Sequence, residues 1–346
     1  MPAYTCSVVA HAVVLSGNVP RFIDINLDDY NMNLEDAEAA INKNTRVIIA
    51  THTFGYPQDL NRLEAMVRKG EKKYGHKIWL MQDCCHAFGA EWNGRMIGTS
   101  GDVAIYAFNI SKMITSIFGG MLTFQNQELA NKLRAWRDEH YMTARWTKGI
   151  YRRIYLLAIY LGFNKKIYRL NWWLQHKTKL LNRFTKEYHL DAKIHFPPDY
   201  LDKMLDIEAA IGLIQLEKYD KIIEKRKKNA KEYNNMLLNT SKCSIPPLVT
   251  GATFSHYTIR VPYKNKILKD LANEGIHLGE LIQYVIPNTE CYEGGNKDQS
   301  FLISEEASRS TVNLPIYMEL NVNEIQKFSH IINKYNKKKQ NEALYN

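Results

Sequence analysis

The chain has 346 residues, of which 45% are hydrophobic and 11% aromatic, and 46 Lys and Arg against 36 Asp and Glu give a net charge of +10. This length and apolar content allow one large domain plus a smaller one, and exclude a disordered chain, a collagen-like repeat and a small disulfide scaffold. Five cysteines, no basic region before the first apolar stretch and no apolar run of roughly 18–20 residues favour a cytoplasmic, reducing location.

The first 140 residues alternate short apolar runs with amphipathic stretches. A helix with one apolar face is predicted over Asp59–Lys73. Such alternation is typical of an α/β domain with a largely parallel sheet, in which ligands bind at the carboxyl ends of the strands. The predicted strands, each a short apolar run, are Val47–Ala50, Ile78–Gln82, Val103–Phe108 and Met121–Phe124.

Two residues that could carry chemistry follow neighbouring strands. Asp83 comes directly after the second predicted strand, and Lys112 follows the third after a short turn that ends at Ser111. Taken singly, an Asp here is most often a turn or helix cap, and a Lys is most often a solvated side chain. Together they suit pyridoxal phosphate, which needs a lysine for a Schiff base and an acid that keeps its ring nitrogen protonated.

The positive charge is concentrated in residues 141–190. This stretch holds 11 Lys and Arg and one acidic residue, Glu187, so the rest of the chain has zero net charge. It also holds three of the six Trp and a ten-residue apolar run, Ile154–Phe163. The run is preceded by Arg152-Arg153 and followed by Lys165-Lys166.

Three interpretations of this basic stretch stay open. Basic pairs around a short apolar run with edge aromatics are typical of a helix lying in a membrane interface, here over residues 150–173. The stretch could instead pack against a second subunit, or form a basic wall for a nucleotide-sugar diphosphate. At about 1.5 Å per residue the run covers roughly 15 Å, too short to span a bilayer. Nucleic-acid binding is disfavoured because no nucleic-acid-binding signature accompanies the patch.

The remainder of the chain predicts helices and a small α+β domain. Long helices are predicted over Tyr200–Leu238 after a break at Pro197-Pro198, followed by a strand at Tyr257–Pro262. Two further helices are predicted, over Ile267–Glu274 before Gly275 and from Asn323 to Lys334. The expected division is a cofactor-binding α/β domain at 1–140, a basic aromatic helical insert at 141–196, linking helices at 197–245 and a small C-terminal α+β domain at 246–346.

Several motifs occur in one order along most of the chain. They are PAYTC at 2–6, FIDIN at 22–26, TRVIIATHTFG at 45–55, DCCHAFG at 83–89, DVAIYAFNISK at 102–112, FGGM at 118–121, AAIGLIQL at 209–216 and NLPIY at 313–317. In these segments the chain resembles the DegT/StrS-type sugar aminotransferases. The resemblance implies an α/β fold, the large domain of pyridoxal-phosphate fold type I with a mostly parallel sheet, plus a small C-terminal α+β domain.

The resemblance also implies roles for individual residues. Lys112 is expected to form the Schiff base, and Asp83 to pair with the pyridine nitrogen. His86 stands where the family places a Gln or His near the phenolic oxygen of the ring, with a helix-start histidine as the alternative. Cys6 stands where an aromatic residue usually stacks on the ring, and Ser111 completes the expected cofactor-binding set.

Some positions depart from the family pattern. Ala107 stands where a Ser or Thr usually donates to the cofactor phosphate, and Leu201 and Lys203 align with a phosphate-binding Asn and an Arg of the partner subunit. His52 matches a family position near the site, with a structural hydrogen-bonding role as the equal alternative. The family also has a helix and a Gly-Thr phosphate loop before the position of Pro2. We therefore expect a truncated product, a phosphate held by other groups, or weak affinity.

The function implied by the resemblance is amino transfer, with glutamate as the expected donor, to a keto group of a nucleotide-activated sugar. The expected enzyme is a homodimer that serves surface polysaccharide or related glycan synthesis. The alternative is a non-catalytic or degenerate homologue that acts as a partner subunit or membrane-associated scaffold. Ala107 and Leu201 favour the alternative, whereas Lys112 with Asp83 favours the enzyme.

Overall fold

The computed structural model describes residues 1–162, 194–196, 199–237, 243–273, 276–292 and 300–342. The predictions that concern Lys165-Lys166, the break at Pro197-Pro198 and the helix end at Gly275 lie outside the described residues, as does the part of the basic insert at 163–193.

A four-stranded sheet forms the centre of the first 140 residues, in the order β1-β2-β5-β6. The first three of these strands are parallel, and β6 pairs antiparallel with β5. The mostly parallel sheet expected from the sequence is thus confirmed. These strands and the intervening hairpin β3–β4 are β1 (Val47–Thr51), β2 (Trp79–Asp83), β3 (Glu91–Trp92), β4 (Arg95–Met96), β5 (Val103–Ala107) and β6 (Gly120–Phe124).

Helices precede, connect and follow these strands. Up to the end of the described part of the insert they are α1 (Ser7–Leu15), α2 (Leu34–Ala40), α3 (Leu60–Tyr74), α4 (Gln127–His140) and α5 (Trp146–Gly162). In the described ranges, no helix combines the length and the apolar character that a membrane crossing requires.

Helix α3 shows how local sequence sets these elements. The Asp59 side chain accepts a hydrogen bond from the Arg62 backbone N–H at 3.0 Å, which caps the first turn. Gly75 ends the helix in the left-handed region, at a φ of 71° that glycine adopts without steric cost. The apolar face, which includes Leu63 and Met66, is buried as predicted and covers the sheet.

The C-terminal part is built on a two-stranded antiparallel sheet, β7 (Tyr257–Arg260) with β8 (Thr311–Leu314). The predicted strand and both predicted helices of this part are confirmed in the residues that the structure describes. The helices of this part and of the connection to it are α6 (Asp206–Glu217), α7 (Tyr219–Met236), α8 (Lys264–Asn273), α9 (Leu302–Ser310) and α10 (Val322–Glu342).

One hydrophobic cluster joins the two ends of the chain. Tyr4, Tyr30 and Phe54, from the first part, are buried together with Tyr257 and Val312 of the C-terminal sheet. The Tyr4 hydroxyl lies 3.0 Å from Thr311 Oγ1 and donates to the Ile282 carbonyl at 3.3 Å. The division of the chain into four parts stays a prediction, and its first and last parts share this cluster.

Candidate active site

Asp83 ends the central strand of the sheet. It is the last residue of β2, paired with Thr51 on one side and Ile105 on the other, and it is only 5% exposed. Its Oδ1 accepts a hydrogen bond from the Cys85 backbone N–H at 3.1 Å, and its Oδ2 accepts one from Thr51 Oγ1 at 3.4 Å. The carboxylate is therefore held in place at the carboxyl end of the parallel strands.

Lys112 lies in the turn that follows the neighbouring strand β5. The Asn109 side chain organises this turn, because its Oδ1 accepts hydrogen bonds from Ser111 Oγ at 2.7 Å and from the Ser111 N–H at 3.2 Å. The Lys112 N–H donates to the Asn109 carbonyl at 3.0 Å. The Lys112 side chain is half-buried, and within the described residues its ammonium group has no hydrogen-bond or ion-pair partner.

Cys6 and Cys85 lie within electrostatic reach of both Asp83 and Lys112. Burial raises the pKa of each thiol, the Asp83 carboxylate raises it further, and the Lys112 charge opposes this effect. The structure thus brings Cys6, at the start of α1, to the same end of the sheet as Asp83 and Lys112. Ser111 lies beside them in the turn, where its exposed hydroxyl is engaged by Asn109.

His86 is a buried imidazole at this site. Its ring stacks on Phe54 with centroids 6.3 Å apart. Burial lowers the pKa of His86 well below its ordinary value, and the charges of Lys112 and His256 lower it further. His86 is therefore neutral at neutral pH, and its buried Nδ1 has no hydrogen-bond partner in the part of the chain that the structure describes.

Two residues of the site were not identified from the sequence. His256 lies just before β7, and its ring is 5.5 Å from that of His86 and 5.8 Å from that of Phe54. Burial, followed by the charges of Arg226 and Lys112, lowers the pKa of His256 to about 3. Arg226 on α7 donates to the Ser255 carbonyl at 2.8 Å. No local pattern signals this contact, because 170 residues separate the two histidines.

His52 has a structural environment. Its Nε2 lies 2.9 Å from Gln82 Oε1, and its Nδ1 accepts a hydrogen bond from the Gln58 N–H at 3.0 Å. Burial lowers the pKa of His52 to about 4. Both ring nitrogens are therefore engaged inside the protein, which favours the structural alternative for this residue.

The residues that depart from the family pattern lie in different places. Ala107 lines a small cavity next to Lys112. The Leu201 carbonyl accepts a hydrogen bond from the Met142 N–H at 2.9 Å, and Lys203 Nζ lies 3.6 Å from Asp138 Oδ1. At each of these three positions the side chain differs from the one in the family pattern.

The donor set at the sheet end fits pyridoxal phosphate. Its pyridine nitrogen needs a buried carboxylate, which Asp83 would supply, and its aldehyde needs an amine, which Lys112 would supply. Its phenolic oxygen needs a hydrogen-bonding group, and the buried Nδ1 of His86 has no partner among the described residues.

Comparisons with known proteins identify the family and the fold of the chain. An uncharacterized protein of Methanocaldococcus jannaschii is 28% identical over 245 residues, which are 71% of this chain and 53% of that protein. The chain thus spans about half the length of that relative. The GDP-perosamine synthase of Escherichia coli O157:H7 is 22% identical over 338 residues, covering 97% of this chain and 78% of that enzyme.

The crystal structure of the sugar aminotransferase CalS13 from Micromonospora echinospora matches with a TM-score of 0.72 at 22% identity, over 96% of this chain and 79% of that one. This match shows the fold, pyridoxal-phosphate fold type I. The model of the DegT/DnrJ/EryC1/StrS aminotransferase family matches residues 1–333. The chain belongs to the DegT/DnrJ/EryC1/StrS aminotransferase family.

Proposed function

We propose that this protein is a pyridoxal-phosphate-dependent aminotransferase that transfers an amino group, from glutamate, to a keto group of a nucleotide-activated sugar. The observation that carries the proposal is the placement of Asp83 and Lys112 at the ends of adjacent strands, within reach of the same thiols. The family supports the reaction class. The similarity to a GDP-perosamine synthase supports a nucleotide sugar as substrate, and the similarity to a spore coat polysaccharide biosynthesis protein of Bacillus subtilis supports a role in polysaccharide or related glycan synthesis.

Each residue of the proposed site has a distinct task. When bound, pyridoxal phosphate supplies an electron sink for negative charge at the reacting carbon. Asp83 holds a proton on the ring nitrogen, and its own position is held by Thr51 and the Cys85 N–H. Lys112 binds the cofactor and then carries a proton through its amine. His86, kept neutral by burial, offers a hydrogen-bonding nitrogen rather than a second positive charge.

The neighbouring residues define the walls of the site. Cys6 borders the site at the start of α1. Burial raises the pKa of its thiol, which therefore stays protonated and adds no charge beside Asp83 and Lys112. Ser111 supports the turn that carries Lys112 through its hydrogen bond to Asn109. Phe54 stacks on His86 and keeps the imidazole plane in one orientation.

The proposed active form is a homodimer. Helix α6 supports this, because Leu213 is 64% exposed and Ile214 and Leu216 beside it are about half exposed. An apolar helix face of this kind is stabilised by a protein partner. The motif AAIGLIQL, which lies on this helix, is among the segments that resemble the family.

The first experiment adds pyridoxal phosphate to the purified protein and records its visible absorption. We expect a visible band that persists after dialysis, and its loss in Lys112→Ala, because the band requires the covalent bond to the lysine. The matched control is Lys225→Ala, which removes a half-buried lysine of α7 and should retain the band. A wild type without the band, or an unchanged band in Lys112→Ala, would favour the non-catalytic homologue.

The second experiment tests the substrate. The loaded protein is incubated with glutamate and a set of nucleotide-linked keto sugars, and aminated products are detected by mass spectrometry. Product from at least one sugar, absent in Lys112→Ala, is the expected result. A protein that shows the band but aminates none of these sugars would contradict the substrate class while leaving cofactor binding intact.

A further inference from the structure

Two of the three charged residues of helix α5, Lys148 and Arg152, are turned toward the protein, and the third, Arg153, is exposed. Lys148 Nζ lies 2.8 Å from Asp199 Oδ2 and 2.6 Å from Asp202 Oδ2. Arg152 is buried, and its Nε donates to Glu208 Oε1 at 3.1 Å. Its guanidinium also lies over the Phe118 ring, 3.7 Å from the centroid. These contacts fix the rotation of α5 about its own axis.

The opposite face of α5 is apolar and exposed. Trp146 is 77% exposed, Ile154 61% and Leu157 59%, and Ile150 and Leu161 continue the same stripe. Their spacing of three and four residues places all five on one side of the helix. Between residues 150 and 161, which the structure describes throughout, Arg153 is the only charged residue among those that are exposed.

This orientation is the reverse of the usual surface helix, which buries its apolar stripe and exposes its charges. Contiguous exposed apolar surface of this kind marks an interaction site. The buried Arg152–Glu208 pair and the partly exposed contacts of Lys148 determine which face is turned outward. The exposure therefore does not result from a loosely docked helix. No described residue covers this apolar face, which is therefore a candidate docking surface.

The charge of the stretch that contains this helix indicates the chemistry of a partner. The stretch 141–190 carries a net charge of +10, whereas the rest of the chain is neutral. A second copy docked symmetrically on α5 would bring the exposed Arg145 and Arg153 of the two copies together, and like charges would oppose that contact. An anionic surface would be attracted instead. Aromatic residues at the ends of the stripe, Trp146 and Tyr160, are the type enriched where a bilayer meets water.

We propose that α5 lies flat on the surface of a bilayer that contains anionic lipid. The stripe from Trp146 to Leu161 is about 22 Å long at 1.5 Å per residue, and it would enter the boundary between headgroups and acyl chains. Arg145 and Arg153, both exposed, would contact the anionic headgroups. The protein would then work at the membrane surface.

The experiment is co-sedimentation of the full chain with vesicles of phosphatidylcholine alone, or of phosphatidylcholine mixed with phosphatidylglycerol. We expect binding to the anionic vesicles only. The variant Ile154→Gln with Leu157→Gln replaces two apolar residues with a polar residue that also forms helices well. We expect its affinity for the anionic vesicles to fall by about tenfold or more. The matched control is Leu302→Gln with Val322→Gln, two exposed apolar residues at the starts of α9 and α10. This control should bind as the wild type does.

A second pair of variants isolates the charge. Arg145→Glu with Arg153→Glu should weaken binding by about tenfold or more, because each basic residue near an anionic surface contributes to attraction. Lys227→Glu with Lys228→Glu changes the net charge equally on the exposed side of α7 and should leave binding unchanged. Two results would overturn the proposal. One is equal binding to neutral and anionic vesicles, and the other is a loss of dimer, by light scattering, in the Ile154→Gln and Leu157→Gln variant.

Discussion

At the level of single residues, burial decides the charge of His52, His86 and His256. His52 and His256 have pKa values lowered to about 4 and about 3, and the pKa of His86 is also lowered, in each case mainly by burial. All three are neutral at neutral pH. The imidazoles of His86 and His256 are therefore hydrogen-bonding groups of the site and not positive charges.

The shift of His52 predicts a pH dependence of stability. In the native state its pKa is about 4, against an ordinary value of 6.5. The contribution of His52 to the free energy of unfolding is complete above pH 6.5. It is lost as the pH falls toward 4, because the unfolded state then binds a proton that the native state does not bind. Between pH 6 and pH 5 the contribution falls by about 1 kcal/mol.

The comparison of wild type with His52→Gln checks this prediction. The difference between their free energies of unfolding in urea should be constant between pH 7 and pH 8 and should shrink on going from pH 6 to pH 5. A difference that is the same at all these pH values would show that the pKa of His52 does not change between the native and the unfolded state, which would contradict the effect of its burial.

At the level of elements, the buried ion pair between Arg152 and Glu208 joins α5 to α6. Glu208 is 4% exposed and also accepts a hydrogen bond from the Leu205 N–H at 2.9 Å, which caps α6. From the sequence, Arg152 and Arg153 form one basic pair before an apolar run. The structure separates them, because adjacent residues on a helix point about 100° apart.

Removal of Arg152 is therefore expected to be costly. Arg152→Met leaves the Glu208 carboxylate buried and unpaired, which should lower the free energy of unfolding by about 3 kcal/mol or more. The matched control is Arg153→Met, on the exposed side, which should change it by about 0.5 kcal/mol or less. Adding Glu208→Gln to Arg152→Met should recover part of the loss. Equal effects of the two arginine substitutions in urea unfolding would contradict this account.

At the level of the whole molecule, the shared hydrophobic cluster couples the start of the chain to its C-terminal sheet. Tyr4 is fully buried and reaches Thr311, which is 307 residues away. Phe54 extends the same cluster toward His86. Packing of the two ends therefore also shapes one wall of the proposed active site.

This coupling predicts that a small change at Tyr4 is felt at both ends. Tyr4→Phe removes the hydroxyl contacts and should lower the free energy of unfolding by about 1 kcal/mol. Hydrogen exchange measured by mass spectrometry should show reduced protection in β1 and in β7 alike. Reduced protection in β7 alone would mean that the two parts unfold independently.

The basic stretch also belongs to this level. Its charge is a property of composition and can be counted from the sequence, as can the apolar run within it. Which side of α5 faces outward depends on acidic residues that come about 50 positions later, at Asp199, Asp202 and Glu208. Composition thus sets the charge of the stretch, and tertiary contacts set which face of α5 is exposed.

The sequence by itself determined the sheet, most helices and the expected meeting of Asp83 with Lys112. These depend on local patterns: periodicity defines strands and helices, and the carboxyl ends of parallel strands necessarily lie at one edge of a sheet. Only the tertiary structure decided that His256 and Arg226 join His86, that Tyr4 packs in the C-terminal core and that Arg152 faces inward. These contacts join residues distant in the chain, and their energies come from burial and ion pairing that no local pattern encodes.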